Sequence, residues 1–176
     1  MRTVDDRRRQ DRAAQHMALA SAYAEAARGV LAHQQDTSNL PYFALVAHGF
    51  ELAFKAVLIL RGWDEERLML IGHDIARCRD AAQSMSDEPI DTDTEAVVES
   101  LSSPHAMQGF RYPQPIANAL PDRELAVACL ERLLRNVAPV NAYTNRAETG
   151  SHWAVATPEP APHIGAGEKD NGRHAG

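Results

Sequence analysis

The stretch from Tyr42 to Leu60, YFALVAHGFELAFKAVLIL, is apolar on nearly every side of a helix, and a cylinder with that pattern has to be buried in protein or in a membrane. His48, Glu51 and Lys55 lie near its middle, where a bilayer span of about 20 apolar residues would make polar groups most expensive. The stretch therefore reads as the central core helix of a bundle. The three polar residues fall at i, i+3 and i+7, so they form one narrow stripe, and Glu51 precedes Lys55 by four residues, the favourable order for an ion pair. Two readings follow from that stripe. It is either a partly buried salt bridge in a wet seam of the bundle, or a polar seam that faces a cleft.

The rest of the chain supplies helices to surround it. From Val4 to Gln35 one long pattern places Ala13, Met17, Ala20, Ala24, Ala27 and Leu31 on a stripe whose small side chains allow a neighbour to come close. Asp36-Thr37-Ser38-Asn39 is a turn cluster, and Pro41 suits the start of the core helix, which stops at Arg61-Gly62. Asp64 is the expected N-cap of a short helix to Leu70, and Gly72-His73-Asp74 breaks it and starts another, through about Met85. A loop over Ser86 to Asp93 leads to a short helix, Thr94 to Leu101, and Ser102 to Gln114 reads as irregular because Gly109, Pro113 and Pro115 punctuate it.

Pro121-Asp122 with Glu124 opens a last helix, with Leu125, Cys129, Leu133 and Val137 on one face. Pro139 is expected to kink or end it, with a further turn from Asn141 to Glu148. No period-2 run is long enough for a sheet. The expected fold is all-α, a bundle of about five helices. Its divisions are a charged helical extension over 1–12, one domain over 13–150, and a tail over 151–176 too rich in Pro and Gly to pack, expected to be disordered.

Charge narrows the function classes. The formal net charge is −6, so nucleic-acid binding would have to use a local patch rather than the whole surface. The cations are almost all arginine, Lys55 and Lys169 being the only lysines, and arginine suits bidentate contacts with phosphate or carboxylate. Cys78 and Cys129 both fall in helical stretches, which speaks against a disulfide framework. The charged N-terminus is not followed by the apolar core of a signal peptide, and a cytoplasmic protein with no membrane partner is expected. Phosphate loops, nucleophile elbows and paired catalytic carboxylates are missing from the sequence.

The run FELAFKAVLILRG, an acidic short helix, IGHDIARCRDAA and then FRYPQP resembles, in that order and over about residues 10–148, the HEPN family of higher eukaryotes and prokaryotes nucleotide-binding domains. The resemblance implies an antiparallel bundle of four to five helices, HEPN-like and commonly a homodimer, in a family with many metal-independent ribonucleases and many non-catalytic members. Some serve as the toxin of a toxin–antitoxin pair beside a nucleotidyltransferase-type partner. The ribonuclease members carry an Arg, a polar residue and, four to six residues beyond the Arg, a His near the final helix. Here Arg135-Asn136 begins that motif, but no His follows at that spacing, where Val140 and Asn141 stand instead. Arg146 with His152 is the nearest substitute, although Ala147 replaces the polar residue.

The expectation is thus a module that binds RNA, a nucleotide or a partner protein without catalysis, with a ribonuclease using Arg146 and His152 as the alternative. Its candidate binding residues are Arg135, Asn136, Asn141, Arg111, Tyr112, His73, Glu51 and Lys55. For His73-Asp74 the competing reading is a helix cap. For Phe110-Arg111-Tyr112 it is a plug at the bundle end, with Arg111 paired to an acid. His48, Glu51 and His73 are ligand types that suit zinc or iron, but their spacing is a weak signal, and no metal or cofactor is expected.

Overall fold

A computed structural model describes residues 3–33, 39–86, 89–112, 116 and 119–145, with side chains in the last helix described through 137. Within these residues the chain is all-α and has no strand. It runs α1 (Val4–His33), α2 (Leu40–Leu60), α3 (Glu65–Ile71), α4 (Ile75–Gln83), α5 (Thr92–Ala106) and α6 (Arg123–Asn145).

The apolar helix α2 is the axis. Tyr42, Phe43, Phe50, Phe54, Leu58 and Ile59 are all buried on it, and a fully buried side chain of this size contributes about 1.5–3 kcal/mol. Along one flank lies α1, with Ala13, Met17, Ala20, Ala24 and Ala27 buried against α2, while α4, α5 and α6 close the other sides. Although α2 is long and apolar enough to cross a membrane, the faces that would meet lipid are largely occupied by these helices. At Gly49 the approach of α6 is closest: a Cβ there would lie 2.5 Å from Cδ2 of Leu130.

Aspartates set the helix starts. Asp64 accepts from the backbone N–H of Arg67, Asp74 from Arg77, Asp91 from Thr94 and Asp122 from Leu125, each satisfying a donor that the first turn leaves unpaired. Both cysteines are buried free thiols, and burial pushes Cys78 up to about 12 and raises Cys129.

The helix read as Thr94 to Leu101 is longer: α5 runs from Thr92 through Pro104 to Ala106, into the stretch expected to be irregular. An interior proline costs a helix about 3 kcal/mol, and here Leu101, Ser102, Pro104 and His105 are all buried, so packing offsets the lost ladder bond. At Pro139, expected to kink or end the last helix, α6 does not end but runs to Asn145, and the face before the proline is buried through Leu130, Leu133, Leu134 and Val137. Among the described residues the bundle has six helices, one of them the short α3. The turn Asp36–Ser38 and the tail 151–176 lie outside the described residues.

Candidate functional site

The polar stripe of α2 turns inward. Glu51 is only 4% exposed, and one helical turn on, Nζ of Lys55 donates to its Oε1 at 2.7 Å. Gly72, at φ 67, turns the chain out of α3 in a conformation that favours glycine, and this brings His73 back over α2. Its Nδ1 donates to both Glu51 oxygens at 3.1 Å.

The next residue, Asp74, caps α4 and also accepts the Ser102 hydroxyl at 2.8 Å, while Ser102 Oγ accepts the backbone N–H of Ala76 at 3.0 Å. That latch fixes α5 against the start of α4. One turn after Ser102, Nε2 of His105 donates to Oε2 of Glu51 at 2.7 Å. So His73 and Asp74 divide the work: Asp74 is the cap, and His73 reaches the carboxylate.

Burial by itself would raise the Glu51 pKa, but hydrogen bonds from His105, Lys55 and His73 and the Lys55 charge more than offset it, holding the group well below the usual carboxylate range. Glu51 is an ionised buried carboxylate. His48, half-buried one turn earlier, is lowered by burial despite the pull of Glu51, so its imidazole is neutral near pH 7. Its ring centroid lies 5.1 Å from those of both Tyr23 and His105.

Above this floor opens a cleft of about 30 Å³ lined by Ala44, His48, His73, His105, Gln108, Phe110 and Arg111. Its size suits a water, an ion or one oxygen-bearing group rather than a whole nucleotide. The far wall is a tight turn closing α5, with Gln108 at φ 58 and the N–H groups of Gly109 and Arg111 bonded to the carbonyls of Pro104 and Gln108. Phe110 plugs the bundle end and stacks on Phe43, centroids 6.2 Å apart. Tyr112 does not join the plug; it is 62% exposed. Arg111 is exposed, with no ion pair among the described residues. Among the described residues the competing reading of an acid-paired Arg111 finds no partner, and the guanidinium borders the mouth of the cleft. The His73 side chain is 57% exposed there.

Of the residues singled out from sequence, Glu51, Lys55 and His73 meet directly, and Arg111 borders their cleft with Tyr112 adjacent in the chain. Arg135 and Asn136 do not join them. Both are exposed on α6, and Asn136 lines a separate, mostly apolar groove with Phe54, Val57, Leu133 and Val137. Arg132 pairs with Asp91 at 2.6 Å, and Arg28 of α1 takes Glu124 and Glu131 of α6. Asn141 lies on α6 with its side chain outside the described residues, and Arg146 and His152 lie wholly outside them.

His105 is the residue the sequence did not reveal. Its stretch was read as irregular, and its partner is 54 positions away, beyond any helical periodicity. The buried run Val97, Val98, Leu101 was the available signal, because continuing its three-to-four spacing by one turn reaches His105. Compared with family models, curated proteins and solved structures, the chain matches none.

Proposed function

We propose that the chain is a HEPN-like helical module that binds single-stranded RNA at the mouth of this cleft, as a homodimer and without cleaving the strand. The reading is carried by one observation: an arginine without an ion pair among the described residues borders the cleft, with a largely exposed tyrosine next to it in the chain. Arginine fits phosphate geometry, and an exposed ring offers a stacking platform that tolerates any base.

The floor supports the same choice. Its one carboxylate is neutralised by Lys55 and turned away beneath His73 and His105, so the mouth presents Arg111, Gln108 and His73 without an opposing acid of its own. On a chain of net charge −6 such a local patch is what RNA binding requires. The rim is also built on rigid parts, since Phe110 anchors the turn and the Ser102–Asp74 latch anchors the floor.

The test is fluorescence anisotropy with a labelled single-stranded RNA, in EDTA, followed by gel analysis of the same RNA. Wild type binds and leaves the strand intact, and Tyr112→Ala weakens binding by about 5- to 150-fold, the range of about 1–3 kcal/mol for one stacked base. Equal affinity for wild type and Tyr112→Ala would overturn the site. Metal-free cleavage that disappears in His152→Ala would overturn the non-catalytic reading in favour of a ribonuclease.

A further inference from the structure

We propose that the floor of the cleft is a site for one divalent transition-metal ion of the zinc class, held by His48 and Glu51 of α2 and His105 of α5. Their ligating atoms all lie within 4.8 Å of one another, and Glu51 and His105 are buried while His48 is half-buried. Two imidazoles and a carboxylate are the donors that zinc, iron and cobalt take, and a three-residue set leaves a position open.

The surroundings fit those roles. Lys55 occupies Oε1 of Glu51, and His73 spans both oxygens from the exposed side, so the carboxylate is oriented with Oε2 toward His105. Such outer hydrogen bonds are how proteins hold a metal-binding carboxylate in place. The hydrogen bond from His105 Nε2 to Oε2, 2.7 Å long, marks the line the ion enters. Zinc bonds of about 2.1 Å in tetrahedral geometry space ligand atoms about 3.4 Å apart, wider than this contact and narrower than the 4.8 Å envelope. Entry therefore needs the His105–Glu51 pair to open by about 0.7 Å, and leaves His48 at most about 1.4 Å to close. The ion takes the place of the hydrogen on Nε2 of His105, and the neutral imidazole holds that proton on Nδ1 instead.

The open position faces the cleft, where about 30 Å³ beside His73, Gln108 and Arg111 has room for a water. Sequence spacing alone had paired His48 and Glu51 with His73 and carried no metal. The change of third ligand to His105 makes the set, because His105 is buried at the floor while His73 remains at the exposed rim.

The proposal is independent of the RNA reading. Chelator-treated full-length protein, without RNA, is titrated with Co²⁺ and followed by visible absorption, then with Zn²⁺ by calorimetry. The expected result is one ion per chain and tetrahedral cobalt bands. His48→Ala and His105→Ala each weaken binding by about tenfold or more, while His33→Ala, at the exposed end of α1, leaves it unchanged. His48 is the informative variant should His105→Ala fail to fold, because its side chain is only half-buried. Absence of cobalt bands in wild type, or bands that persist at full strength in His48→Ala, would overturn the site. RNA binding in EDTA with no cobalt bands would sink this proposal and leave the RNA reading standing; cobalt bands without RNA binding would do the reverse.

Discussion

Two ion clusters tie distant helices of this bundle together, and they differ in where the water is. Around Glu51, groups from α2, the turn between α3 and α4, and α5 converge on a carboxylate that is 4% exposed. Around Arg28, a guanidinium with 41% of its side chain exposed joins α1 to Glu124 and Glu131 of α6. The distances are similar, 2.7–3.1 Å in both. Their consequences are not. Removing a partner from a buried pair leaves an uncompensated charge in a low-dielectric interior, whereas an exposed pair exchanges its partner for water at little cost.

The sharpest way to break this contrast is Glu51→Ala, which strands Lys55 and opens the floor. It is expected to destabilise folding by about 3–5 kcal/mol, measured by urea unfolding. A loss under 1 kcal/mol would mean that water reaches the floor and that the two clusters are alike. Packing next to the site has its own cost: Gly49→Ala forces Leu130 to move and is expected to cost about 1–3 kcal/mol in the same assay.

The Arg28 side of the bundle contains one buried polar group, Tyr42, whose hydroxyl donates to the Arg123 carbonyl. Burial pushes its pKa up to about 12, against about 10 in an unfolded chain. The folded state thus retains a proton that the unfolded state gives up between those values, so this contribution is present below pH 10 and lost as pH rises toward 12. Tyr42→Phe is expected to cost about 0.5–1.5 kcal/mol near neutral pH and to flatten the fall in stability over that alkaline window. A variant whose stability falls as steeply as wild type from pH 10 to 12 would show that Tyr42 is not the group responsible.

The smallest effect belongs to the exposed pair itself. Arg28→Ala is expected to cost about 0–1 kcal/mol, and the difference from wild type should shrink in 1 M salt. A cost above 2 kcal/mol that survives high salt would place the Arg28 cluster in the same class as Glu51.

Local pattern accounts for what was legible in the sequence. The apolar circumference of α2, the small-residue stripe of α1, the Asp64 and Asp74 caps and the Glu51–Lys55 pair all repeat within four residues, and all are present as read. Neither His105 on Glu51 nor Arg28 on Glu124 and Glu131 has such a local sign, since those partners are 54, 96 and 103 positions apart. The end of α5 was misplaced for a related reason. Gly109, Pro113 and Pro115 marked the stretch from Ser102 as irregular, yet the buried face of α5 is tertiary and carries the helix through Pro104 to Ala106. Arg132 shows the same limit, because its acid is Asp91 at the start of α5 rather than a neighbour on its own helix.

The cleft mouth itself is tested most directly by the salt dependence of RNA binding in wild type, Arg111→Ala and Arg28→Ala, each measured by anisotropy from low to moderate salt in EDTA. If Arg111 contacts a phosphate, its removal lowers the slope of log affinity against log salt by about 0.7, the share of one single-strand phosphate contact. Arg28→Ala, on the far seam, keeps the wild-type slope. An Arg111→Ala slope equal to wild type would contradict the assignment of this cleft as the RNA site.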